Sequence, residues 1–187
     1  MHLRGLVVVA WCALAAGCAT TAGSHRAPSS ATANVSRQEQ AATLFDAATH
    51  HDKLRLKLLV DWPRYRLAWA WARAAADHAE ATTGLSQVEA EPAPSEAWIE
   101  MAVGELQTRL AGVASGPQPP HAEPGVANAR LAELKRGAPE TKYPALPRLW
   151  ELTAEALAGA DEVTYAGATR LTLLFVGDRL AGVLDAR

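Results

Sequence analysis

From residue 37 to residue 110 the apolar side chains recur every three or four positions, a period that only helices can bury on one face. Leu44, Phe45, Ala48, Leu58, Leu59 and Trp62 form the first stripe and predict a helix over 37–61. Ser36-Arg37-Gln38-Glu39 precedes it in capping-box form, a hydroxyl three places before a carboxylate. Pro63 breaks or kinks that helix, while Asp61 can cap the next one and Pro63 is tolerated in its first turn. The second stripe is Trp62, Tyr65, Trp69 and Ala72, with Leu67, Trp71 and Ala75 beside it; it predicts a helix over 62–83, closed by Gly84. After a short linker, Ser95 caps a third helix to about residue 111. Ile99, Val103, Leu106 and Leu110 face in, and Glu100, Gln107 and Arg109 face out.

Residues 115–124 hold four prolines and a glycine and predict a surface loop with no regular structure. A short helix follows over 126–136. Another covers 146–158, with Leu149, Trp150, Thr153 and Leu157 on one side. Near the C-terminus the period changes: 169–176 alternates, Gly177-Asp178 can turn, and 179–184 returns, predicting a hairpin with Val163 to Tyr165 as a third strand. The rival reading is a helix carrying Leu173, Val176, Leu180 and Leu184. The fold class expected is therefore mainly α: a small bundle of about five helices after a disordered tether, with a short C-terminal β-hairpin.

The N-terminal end has a different character. One arginine, Arg4, precedes an unbroken apolar run over 6–16, the form of a secretory signal too short for a membrane span. Its close, Leu14-Ala15-Ala16-Gly17-Cys18, resembles the lipobox of bacterial lipoproteins, in which small residues precede a cysteine that receives lipid before cleavage. Ala15 stands where that family usually has leucine, and Leu14 lies one place early. The resemblance implies a signal peptide over 1–17 and lipidation at Cys18. With Ala19 rather than aspartate next, it also implies sorting to the outer membrane, facing the periplasm. The alternative is an ordinary signal cleaved after Ala22 or Gly23. Cys12 and Cys18 are the only cysteines, so a chain cut before Cys18 would keep one thiol at its first position and form no internal disulfide. Residues 18–35, rich in Ala, Thr and Ser, predict a flexible tether, and 36–187 a single folded domain.

Composition excludes more than it selects. With 18 basic and 20 acidic side chains the net charge is −2, and loss of Arg4 makes it one unit more acidic; no basic field suits nucleic acid. His50 and His51 are adjacent, about 100° apart on a helix, and His78 and His121 are isolated, so no metal site is expected. No glycine-rich phosphate loop, nucleophile elbow or other cofactor motif is present. Trp62, Trp69 and Trp71 with Tyr65 can either pack the core or line a pocket for a ring or sugar; their helical spacing favours the core.

One stretch stands out. Residues 55–66, Arg-Leu-Lys-Leu-Leu-Val-Asp-Trp-Pro-Arg-Tyr-Arg, resemble the first-helix signature of the secreted all-helical chorismate mutases. That resemblance implies a site in which Arg55 grips a carboxylate, Arg66 stands near the ether oxygen, Glu105 or Gln107 holds the hydroxyl or ether oxygen, and Arg148 completes the cationic set. The pattern departs from the family at Pro63 and at Arg66, which replaces a lysine. The plainer reading makes these arginines solvated helix cations. The function expected is a membrane-anchored periplasmic lipoprotein with a binding or envelope-assembly role, held by the lipid on Cys18. The C-terminal hairpin edge would meet an envelope protein partner. The alternative is a chorismate-mutase-like enzyme, converting chorismate to prephenate, or an inactive relative of it.

Overall fold

A computed structural model describes residues 30–123, 125–138 and 141–185, with side chains from residue 37 onward. Cys18, the leader and the first part of the tether lie outside the described residues.

The chain is mainly helical, with an antiparallel sheet at its C-terminal end. Seven helices are described where the apolar stripes predict five, because two expected helices each break once. The first becomes α1, Ser30–Thr49, and α2, Lys53–Leu59. It begins six residues before the Ser36 capping box, so residues 30–35, expected in the tether, are helical. It breaks at His51, a non-glycine residue with φ of 56°, after which the Asp52 carboxylate accepts from Arg55 N at 2.9 Å and starts α2. The restart rotates the stripe: Leu56 is buried, and Leu58, expected in the core, is 68% exposed.

Val60 is extended, and Asp61 then caps α3, Trp62–Ala76, with Pro63 in its first turn as the sequence predicts. The second expected helix breaks at Asp77, whose carboxylate takes Ala79 N at 3.0 Å before α4, Glu80–Ala90, begins. Gly84, expected to end a helix, lies inside α4 instead. Any Cβ there would come within 3.3 Å of the Ala70 Cβ, so glycine lets α4 lie close against α3. Helix α5, Glu96–Ala114, has its expected Ser95 cap; α6, Ala129–Arg136, starts at Asn128; α7 covers Ala145–Ala156.

The hairpin is present and the rival helix is not. Strands β1 (His121–Glu123), β2 (Asp161–Ala166), β3 (Arg170–Val176) and β4 (Arg179–Asp185) form an antiparallel meander in that order. Strand β1 lies in the proline-rich stretch expected to hold nothing regular; a three-residue strand at the sheet edge needs little sequence signal.

Helices cover both faces of the sheet. Leu171, Leu173 and Phe175 enter a core with Leu44 and Phe45 of α1, Leu56 of α2, and Leu106 and Leu110 of α5. Leu174, Ala181 and Leu184 enter a second core with Trp71 of α3, Leu131 and Leu134 of α6, and Leu149 and Trp150 of α7. A register shift at Leu174/Phe175 lets Leu180 and Val183, three residues apart, share the first face. Burial on both sides explains why 171–175 are buried without interruption, where a one-sided hairpin would alternate.

The turn after β2 locks the sheet to α5. Ala168 N donates to Val113 O at 3.0 Å, and a Cβ on Gly167 would overlap that same carbonyl. Gly167→Ala is expected to cost about 1–3 kcal/mol in urea denaturation. Gly112→Ala, in α5 with open space around it, should stabilise by about 0.5–1 kcal/mol. Equal behaviour of the two variants would remove the close approach as the reason for Gly167.

Candidate functional site

Where α3, α5, α6 and β4 meet they leave a cleft of about 280 Å³. Helix α3 supplies one stripe to it: Tyr65, Trp69, Ala72, Arg73 and Ala76. From α5 come Glu105 and Arg109, one turn apart, from β4 Val183 and Asp185 on one side of the strand, and from α6 Arg130. No serine, threonine, cysteine, histidine or lysine is among these lining residues.

Most of the charges are already satisfied. Arg73 stacks over the Trp69 ring at 4.9 Å and reaches Glu80 at 3.3 Å. Trp69 Nε1 donates to Glu105 Oε2 at 3.0 Å. Arg109 donates to Asp185 Oδ1 at 2.7 Å and to Val183 O at 3.4 Å. Burial pushes the Tyr65 phenol above its usual range, with Arg109 beside it pulling the other way.

Arg130 is different. It is 9% exposed, donates Nη1 to Ala72 O at 2.7 Å, and has no carboxylate within 4.0 Å among the described residues. It also stands in the first turn of α6, where the helix dipole is positive and an anion, not a cation, is favoured. A buried cation at a helix N-terminus carries a desolvation cost that a carbonyl only partly offsets. The electrostatics of the cleft therefore favour an incoming anion.

A second cavity, about 290 Å³, lies between α1 and β1, against Gln38, Phe45, His121 and Tyr165. Burial pushes the Tyr165 phenol up to about 12, and its hydroxyl has no partner among the described residues.

The residues singled out by the mutase resemblance are not brought together. Arg55 is half exposed and pairs with Asp46 at 2.7 Å. Arg148 is exposed on α7 beside Glu151. Arg66 is buried and donates to the Gln87 and Glu91 carbonyls at the end of α4. Gln107 is held by His51 at the α1–α2 break. Glu105 alone of the five lines the cleft. The aromatic cluster is mostly core: Trp62 and Tyr65 are buried in the first core and Trp71 in the second, while Tyr65 also reaches the cleft and the partly buried Trp69 forms its wall. Trp71, which needed a further neighbour off the main stripe, finds Trp150 edge-on at 5.6 Å.

Sequence reasoning missed Arg73, Arg109, Arg130 and Asp185. A signal existed for one of them: Tyr65, Trp69 and Arg73 follow one another at i+4 along a single face. Nothing local marks Arg130, whose setting depends on α3 lying opposite.

The outer edge of the hairpin, expected to meet a partner strand, is occupied from within the chain. Asp61 N donates to Leu180 O at 2.8 Å, Val60 bridges Leu180, and Arg109 takes Val183 O. Among the described residues no three His, Cys, Asp or Glu side chains cluster to hold a metal ion, and no helix is long and apolar enough to cross a membrane. Comparison with protein families, with characterised proteins and with solved structures gives no match.

Proposed function

We propose that this chain is a lipoprotein of the outer membrane, anchored through Cys18 and facing the periplasm, whose folded domain binds a small anionic solute in the cleft between α3, α5, α6 and β4. The observation that carries the binding role is Arg130, a buried guanidinium without a carboxylate partner among the described residues, lining a cavity of about 280 Å³. Support for the address comes from the leader: an apolar run, small residues and a cysteine that is the last in the chain. The role read from the cleft is binding, because its guanidinium groups and apolar wall can hold an anion together with a hydrocarbon part.

Two measurements test the two halves separately. In a host with a two-membrane envelope the native chain should take up labelled palmitate, and Cys18→Ala should not; an unlabelled native chain ends the anchor. In calorimetry on the purified full chain, a short monocarboxylate should bind, and Arg130→Gln should weaken it by about tenfold or more, the worth of one charged hydrogen bond. Circular dichroism should show the variant folded. Unchanged affinity in Arg130→Gln would move the site away from this cleft.

A further inference from the structure

Resting on the cleft reading above, we infer that the ligand is a small zwitterion of the amino-acid class, bound by Arg130 through its anionic end and by Glu105 through its ammonium. The argument is a balance of partners among the charged residues that line one cavity. Arg73 has Glu80 at 3.3 Å, and Arg109 has Asp185 at 2.7 Å; each of these pairs is electrically closed. Two charges remain without an ionic partner, Arg130 buried and Glu105 exposed to solvent. Arg130 has no carboxylate within 4.0 Å, and Glu105 has no cation within 4.0 Å, among the described residues. They are of opposite sign, they come from different elements, and they did not pair with each other.

A plain anion would satisfy Arg130 but would face the Glu105 carboxylate in the same hollow, where like charges repel. A plain cation would satisfy Glu105 but would leave Arg130 unpaired and repelling it in the same hollow. A molecule with one charge of each sign satisfies both. Trp69 fixes the Glu105 carboxylate through Oε2, which leaves Oε1 free for a donor. The same cavity is lined by Tyr65, Ala72, Ala76 and Val183, apolar surface suited to a hydrocarbon side chain or spacer. At about 30 Å³ per water, the cleft has the capacity of roughly nine waters. That fits a free amino acid.

The test uses four probes of six carbons each, titrated calorimetrically into the full chain: leucine, which is branched, and the linear 6-aminohexanoate, hexanoate and hexylamine. Leucine places its charges on one carbon and 6-aminohexanoate places them far apart, so the tighter of the two reports the charge separation that the cleft accepts. At least one zwitterion should bind about tenfold more tightly than hexanoate, and hexylamine should not bind. Glu105→Gln should abolish that advantage while hexanoate affinity holds or rises; Arg130→Gln should weaken both acids. If hexanoate binds as well as either zwitterion, the zwitterion inference fails and the anion-binding cleft stands. If no acid binds, both fail. If Glu105→Gln leaves the zwitterion's advantage intact, Glu105 is not the ammonium site and the inference is overturned.

Discussion

Trp71→Ala is expected to lower the unfolding free energy by about 3–5 kcal/mol, a large part of what a domain of this size possesses. The indole is fully buried in the second core, edge-on to Trp150 at 5.6 Å and packed among residues of α6, α7 and the sheet. Its removal opens a cavity bounded by separate elements that cannot all move inward together. Trp71→Phe should cost much less than the alanine variant. It keeps an aromatic ring and deletes an indole N–H that has no partner among the described residues, and a buried unpaired donor itself costs about 1–3 kcal/mol. Urea denaturation followed by far-ultraviolet circular dichroism measures both. If the phenylalanine variant loses as much as the alanine one, the N–H is bonded, most simply to a buried water.

Arg66→Ala carries the second large effect, about 2–4 kcal/mol, and it separates two roles for one residue. Arg66 is 5% exposed, donates to Gln87 O at 2.6 Å and Glu91 O at 2.8 Å, and stacks on Trp98 at 5.6 Å. Gln87 O also takes the closing N–H of Glu91 at 3.3 Å, and Glu91 O lies just past the helix end, so the guanidinium reinforces the last turn of α4 at the negative end of its dipole. Alanine takes the side-chain donor from Glu91 O, leaves Gln87 O with the Glu91 N–H alone, and removes the cross-link from α3 to the end of α4. Lysine, with one ammonium in place of a planar fork, should recover only part of the loss. A substrate-gripping Arg66 predicts the reverse: an unchanged unfolding midpoint and a lost ligand. Denaturation and calorimetry on the same variant distinguish them.

The periodic and capping signals reported the local structure well. Asp61, Pro63 and Ser95 start helices where the sequence places them, and 163–165 is the third strand beside the hairpin. The failures have local causes as well. His51 breaks a helix without glycine or proline, and Asp77 ends one by bonding its own chain two residues on; both compete with the helix through conformations that a hydrophobic stripe does not register. Gly84 read as a stop because glycine usually is one. It proved to be a contact, which only the partner helix reveals.

What the sequence determined by itself is the inventory: helical stripes, their caps, a terminal alternating segment, and an apolar N-terminal run that ends in small residues at Cys18. Those properties lie in residues a few places apart, so the chain states them without folding. The tertiary structure decided that the hairpin lies between helices rather than at the surface, and that Arg66 holds a helix end. It also decided that Arg130 and Glu105 face one hollow without an ionic partner. A charge is paired or unpaired according to what another segment brings beside it, and Arg130 is 58 residues from the carbonyl that holds it.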